Sequence, residues 1–356
     1  VYFCILAIIL VGVREYVRVY ALAGNEPIGW ALGYLFGDLP WFRFQVVRAN
    51  LQRWILLPPR TDDEPDGCSL GPVQHIRHTF IGEANTRLFL SGYFLAVIAT
   101  GLAIVFRLSP IYEVDTRRKV FHFMMVAMFL PATFVDPAFS ALGLSIVLAV
   151  FLLLDLLRAS QLPPLSKPIA TFLTPYVDGR DLRGPVVVSH IFLLIGCAIP
   201  LWLSLAALPR TGQNALAGWE LPTRDVSMVS GVVCVGLGDA AASLIGRRWG
   251  HRKWLWGGGK SLEGSVAFGL AVFAGLMAAN IWLRVGGWPV SGGAGVAAVS
   301  RGSGPRWSCL QDWAATVQKT GVCASMASLT EAVLTGGNDN VVVPVVLWAC
   351  VKSTGI

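Results

Sequence analysis

Residues 236–264 read GLGDAAASLIGRRWGHRKWLWGGGKSLEG. An apolar, small-residue helix carries an acid, Asp239, inside it. The helix then opens into a loop with five Lys/Arg, a glycine run and, near its far end, Glu263. A carboxylate in hydrocarbon is costly, so one found there is a functional candidate by default. A basic, glycine-rich loop offers cations and backbone amides to a polyphosphate. The stretch therefore predicts a membrane helix that ends at an anion-handling surface.

The rest of the chain has the same character. Of its 356 residues, 54% are hydrophobic and 14% charged, against about 25% charged in soluble domains. Apolar runs of roughly 20 residues recur along it, which predicts an all-α, polytopic helical membrane protein with about 8–10 spans. Clear spans are expected near 88–106, 119–134, 138–157, 185–208, 226–246, 265–285 and 313–334, with a short one at 340–351. Residues 1–13 read as the end of a span that starts before Val1, and 28–57 as a short or interfacial helix with interleaved arginines. Two regions are expected: N-terminal membrane helices and a polar loop over 1–110, and a membrane core over 111–356. A Gly/Ser-rich insert at 286–308 interrupts the core and reads as a flexible loop.

Net charge is +7, but Lys and Arg cluster between spans, which argues for the positive-inside rule rather than nucleic acid. The seven cysteines form no CxxC and no Cys/His cluster; they read as small buried hydrophobes. Loop parity adds a consequence. If 247–264 faces the cytosol, so do 107–118, 158–184 and 335–339. Segments 107–119, 155–184 and 247–264 hold 13 Lys/Arg, whereas 71–87, 209–225 and 286–312 hold 6. Four polar motifs thus converge on one membrane face.

The first motif is Arg117-Arg118-Lys119-Val120-Phe121-His122, in which Arg118 and His122 share a helical face. It suits anion binding or, more simply, a cytosolic anchor with a buried histidine. The second, Asp178-Gly179-Arg180-Asp181-Leu182-Arg183, pairs acids for a metal with arginines for phosphate, or forms a salt-bridged loop. His190 lies one turn into the next span. The third is the opening stretch. Gly238, Ala242 and Gly246 recur every four residues and let a helix approach closely. Asp239, Ser243 and Arg247 form an adjoining stripe. The run Gly257-Gly258-Gly259-Lys260-Ser261 is not a P-loop, because position 254 is Trp254 rather than glycine and no strand precedes it. The fourth motif is Glu331 in an apolar run, followed by Asn338-Asp339-Asn340 at a helix start, where capping and function are equally open.

These motifs, in this order, resemble the dolichol kinase family. The segments that carry the resemblance are RRKVFHFMMVAMFLP at 117–131, DGRDLRGPVVVSHIFLLIGCAIPLWL at 178–203, residues 236–264, and EAVLTGGNDNVVVP at 331–344. The resemblance covers roughly 111–356. Two of the motifs are shared more widely with phytol kinases and CTP-dependent diacylglycerol kinases. Position 179 departs from the pattern, being Gly where the family has Glu.

The resemblance implies transfer of the γ-phosphate of CTP to dolichol at the endoplasmic reticulum membrane, giving dolichyl phosphate for protein glycosylation, with the nucleotide site facing the cytosol. The expected catalytic residues are Asp239, His122 and Asp339. Nucleotide contacts are expected from Gly238, Ser243, Gly246, Arg247, Gly250, Gly257, Gly258, Gly259, Lys260, Ser261 and Gly264. Mg²⁺ is expected at Asp239 with Glu263 or Asp339.

Two other classes compete. The run GLGD at 236–239 matches the GxGD signature of intramembrane aspartyl proteases, but those need a second Asp on the preceding span, and 185–208 contains none. A transporter would use buried acids for ion coupling, but no inverted repeat is visible.

Overall fold

The computed structural model describes residues 2–57, 71–108, 114–173, 188–208, 219, 221, 223–256, 258–288, 306–334 and 338–356. Every regular element among them is helical, and no strand forms. The elements are α1 (Tyr2–Ala7), α2 (Arg14–Tyr20), α3 (Pro27–Phe36), α4 (Pro40–Arg48), α5 (Pro72–His75), α6 (Glu83–Leu108), α7 (Val114–Val135), α8 (Pro137–Ala159), α9 (Ser166–Leu173), α10 (Val188–Ala207), α11 (Ala240–Trp249), α12 (Leu262–Gly286), α13 (Arg306–Val333) and α14 (Asp339–Thr354). The protein is an all-α polytopic membrane protein, as its composition predicts.

The chain forms two compact units, one of Val1–Phe94 with Pro209–Pro222 and one of Leu95–Leu208 with Thr223–Ile356. In the first, Trp30 stacks on Tyr34 at 4.6 Å and Trp219 meets both rings. The Arg87 guanidinium lies 3.7 Å over Tyr34 and donates to Glu83. Residues 28–57 form two short helices, α3 and α4, each opened by a proline at its start. Residues 2–20 are helical, with a π turn at Ile8–Val13.

The second unit holds the candidate chemistry. Among the described residues of the whole chain, four helices are long and apolar enough to cross a membrane: α6, which begins in the first unit, α7 from Thr116, α8 and α12. The expected span at 226–246 is helical but broken. A 3-10 turn at Val226–Val229 gives way to a π-helical stretch at Val232–Asp239 and then to α11. π turns inside helices often mark functional positions, and Asp239 ends this one. The expected spans at 313–334 and 340–351 are α13 and α14, of 28 and 16 residues. α14 is shorter than a full span, and α13 carries Glu331, the acid that already broke the apolar pattern in the sequence. Of the insert expected at 286–308, residues 289–305 lie outside the described residues, while Gly286 ends α12 and 306–308 open α13 as helix rather than loop.

Glycines draw these helices together. Added to Gly196 on α10, a Cβ would strike the Asn340 carbonyl at the start of α14; at Gly231 it would strike the α10 backbone. At Gly236 it would strike Val126 of α7, and at Gly238 it would lie 2.8 Å from Phe268 of α12. Small residues allow backbone approach in membrane helix packing. Here they bring α7, α10, α12 and α14 around the π-helical stretch. The four-residue repeat of small residues is thus a packing face, as its spacing predicts, and its partner is α12.

Candidate functional site

Asp239 projects where α7 crosses the π-helical stretch. Lys119 Nζ donates to Asp239 Oδ2 at 2.9 Å, and His122 Nδ1 lies 3.4 Å from the same oxygen. Lys119 and His122 are one turn apart on α7 and both are buried. The Asp239 side chain remains 35% exposed, so the ion pair opens onto a surface. His122 Nδ1 also donates to the Val235 carbonyl at 2.8 Å. A carbonyl only accepts, so Nδ1 carries the proton and the Nε2 lone pair of the neutral ring remains available.

A second charged group faces the first across a small pocket. Lys260 Nζ donates to Glu331 Oε1 at 2.7 Å, to the Glu331 carbonyl, and to Asp339 Oδ2 at 3.4 Å. Cys234, Val235, Asp239, Phe268, Glu331, Asp339, Asn340 and Val343 line this pocket. Two lysines and three carboxylates therefore meet at one end of the unit, and among these five the excess charge is one negative.

Three of the four predicted motifs thus converge. The second, with Asp178, Arg180, Asp181 and Arg183, lies outside the described residues, as does Gly257. Within the first motif, Lys119 rather than Arg118 reaches the acid. The i, i+3 spacing from Lys119 to His122 is legible in the sequence, but the i, i+4 pair of Arg118 and His122 is equally good by spacing. Glu331 is drawn in by Lys260; its signal was an acid in an apolar run. Asn340, on the pocket wall, had only its place beside Asp339.

The basic loop is folded rather than loose. Lys253 and Ser261 form an antiparallel bridge, with Trp254 N donating to the Lys260 carbonyl and Leu262 N to that of Arg252. Gly258 and Gly259 close the turn at φ 78° and 74°, which favours glycine. Glu263 does not line the pocket; its two carboxylate oxygens accept from Arg252 N at 3.2 and 3.3 Å, holding the loop base. Ser261 caps α12 by accepting from Gly264 N. Gly246, Gly250 and Gly264 surround the Ser261 hydroxyl: a Cβ would lie 2.5 Å from it at Gly250, 3.0 Å at Gly264 and 3.2 Å at Gly246. The structure therefore gives these three glycines and Ser261 a packing role. Ser243 is half-buried and Arg247 exposed on α11.

The donors on the pocket wall suit Mg²⁺ by chemistry, being hard carboxylate and amide oxygens. Among the described residues no three His, Cys, Asp or Glu side chains gather as a metal-binding group. Mg²⁺ does not need such a cage: it is commonly held by one or two carboxylates together with substrate phosphates. Asp239 and Asp339 fit that pattern; Glu263, spent on the loop, does not join them. Nor do these aspartates form a proton-sharing dyad, because each is paired with its own lysine.

The class defined so far is a polytopic helical membrane protein with a lysine–carboxylate site at one end of its core. Comparison with known proteins adds a likeness: over part of its length the chain is similar to curated dolichol kinases. It is 45% identical over 157 residues to dolichol kinase sec59 of Schizosaccharomyces pombe, a match covering 44% of this chain and 29% of that protein. It is 34% identical over 192 residues to dolichol kinase EVAN of Arabidopsis thaliana, covering 53% and 31%. To the dolichol kinase of Homo sapiens it is 28% identical over 238 residues, covering 64% and 38%. The chain therefore spans about a third of the length of these relatives. No family model and no solved structure matches it.

Proposed function

We propose that this chain carries the phosphotransfer core of a CTP-dependent dolichol kinase of the endoplasmic reticulum membrane, making dolichyl phosphate for protein glycosylation with its nucleotide site on the cytosolic face. The observation that carries this reading is the meeting of Lys119–Asp239 and Lys260–Glu331–Asp339 at one end of an apolar bundle. The kinship with dolichol kinases supports the acceptor lipid.

Phosphoryl transfer is mostly positioning and charge stabilisation. Lys119 and Lys260 neutralise charge that builds on the phosphate oxygens. The dolichol chain stays in lipid while its hydroxyl reaches the pocket. The hydroxyl oxygen forms a bond to the γ-phosphorus as the bond from that phosphorus to the bridging oxygen breaks, releasing CDP. The hydroxyl proton passes to a pocket carboxylate or to His122 Nε2, whose partner nitrogen is committed to Val235. Asp239 and Asp339 would hold Mg²⁺, which would add to the neutralisation of the phosphates.

The test uses the purified chain in detergent with γ-labelled CTP, Mg²⁺ and a panel of dolichol, phytol and diacylglycerol. Labelled dolichyl phosphate is expected, with Asp239→Ala lowering its rate at least about a hundredfold. Label in phytol or diacylglycerol alone would reassign the acceptor. No labelled lipid at all would refute the kinase reading.

A further inference from the structure

The loop that carries Lys260 ends in an aromatic plate that the phosphotransfer chemistry leaves unused. Trp254 and Trp256 stack at 4.4 Å with their planes 15° apart. Each indole N–H is satisfied: Trp254 Nε1 donates to Ser265 Oγ at 2.9 Å, and Trp256 Nε1 to the Ala332 carbonyl at 2.8 Å. These bonds fix both rings to α12 and α13 and leave only their faces for contact. One face of Trp256 lies against Trp254, yet Trp256 remains 46% exposed.

The position of the plate is the second observation. Trp256 holds the carbonyl of Ala332, and Lys260 holds both the carbonyl and the carboxylate of Glu331, the preceding residue. An exposed aromatic surface and a phosphate-seeking cation are therefore tied to consecutive residues of α13, beside the pocket. Along the end of α11 and the same loop, Arg248, His251, Arg252 and Lys253 are exposed, and Arg248 lies 5.2 Å over the Trp249 ring. A planar, rigid, uncharged face on a loop with exposed cations, tied beside the Lys260 group, fits a ligand with a flat ring at one end and several negative charges at the other.

We infer that the open face of Trp256 stacks the base of the nucleotide whose phosphates enter the Lys260 pocket. The inference rests on the nucleotide reading above and extends it from the phosphates to the base. Stacking on an aromatic ring tolerates any base, so the plate contributes affinity for a nucleoside triphosphate over a bare polyphosphate. The fully exposed Leu255 at the tip admits a competing role for the plate, insertion among lipid headgroups, and the test separates the two.

The full chain is purified in detergent, and the rise in its melting temperature is measured with CTP and, separately, with inorganic tripolyphosphate. For the wild type CTP is expected to shift the transition more than tripolyphosphate does. In Trp256→Ala the CTP advantage disappears while the tripolyphosphate shift stays the same, and Trp256→Phe keeps most of the advantage. Turnover gives the second readout: Trp256→Ala raises KM for CTP about tenfold with kcat within threefold, and Leu255→Asp leaves both unchanged. An unaltered CTP advantage and KM in Trp256→Ala, with activity lost on Leu255→Asp, would overturn stacking in favour of a lipid contact. A wild type that neither ligand shifts overturns the nucleotide reading itself. If Trp256→Ala does not fold, Trp256→Leu, which keeps an apolar side chain but removes the ring, takes its place; an unchanged CTP advantage there overturns the stacking.

Discussion

Asp239 owes its state to two neighbours from a helix more than a hundred residues earlier. Lys119 compensates its charge, and His122 sits within 3.4 Å of the same oxygen. Removing one member of a buried ion pair leaves the other charged and poorly solvated, which costs more than removing both. Lys119→Met is therefore expected to lower the melting temperature of the detergent-solubilised chain, and Lys119→Met with Asp239→Asn to recover part of that loss. Both variants are expected to lose activity by about a hundredfold, and the double variant no more than either single one, because the pair acts as a unit. Additive losses would show that the two residues work separately. At the other group, Glu331→Gln keeps the carbonyl that Lys260 holds but removes the carboxylate 2.7 Å away. Its expected effect is a rise in KM for the nucleotide of about tenfold, read from initial rates, because the lysine loses the partner that aims it.

At the scale of elements, the site exists because four helices approach at glycine. Gly196 lets α10 meet the first turn of α14, and Gly236 lets the π-helical stretch meet α7. A Cβ at Gly196 meets backbone, which cannot swing aside. Gly196→Ala is expected to displace α14, and with it Asp339 and Asn340, abolishing activity and lowering the melting temperature. A Cβ added at Gly143 on α8 would meet nothing within 4 Å, so Gly143→Ala is expected to be neutral or to stabilise by up to about 1 kcal/mol, since glycine weakens helix interiors. Equal damage from both changes would show that glycine content, rather than close approach, matters. The π-helical stretch belongs to this scale too: it buries Val232, Val233 and Val235 and ends at Asp239, where α7 crosses it.

For the whole molecule, the charged ends of α7, α13 and α14 and the basic loop gather at one end of the second unit, while Asp225 and Lys352 pair at 2.6 Å elsewhere, at the far end of α14. A charge-bearing rim at each end of an apolar bundle fits a membrane on both sides. The proposed orientation puts the basic loop in the cytosol. A cysteine placed at the fully exposed Leu255 is expected to react with an impermeant maleimide in sealed, cytosol-side-out microsomes without permeabilisation. Labelling that appears only after permeabilisation would invert the topology.

Much of this was legible in one dimension. Apolar runs of the right length announced a helical membrane protein, because hydrocarbon accepts only backbone that satisfies itself. An acid in such a run announced itself by its cost, at Asp239 and at Glu331 alike. Loop charge brought the motifs to one side before any contact was known. The sequence could not choose Lys119 over Arg118, because both lie within one turn of His122 and only the crossing of α7 over the π-helical stretch decides which one meets Asp239. It could not separate the packing glycines from the rest of the basic loop, since a glycine needed for close approach and one needed for a ligand look the same until a neighbour is present. Nor could it send Glu263 to the loop base and Lys260 to Glu331. Burial cost and charge along the chain are local and can be read from the residues themselves, whereas partnership between residues 120 apart is fixed only when helices pack.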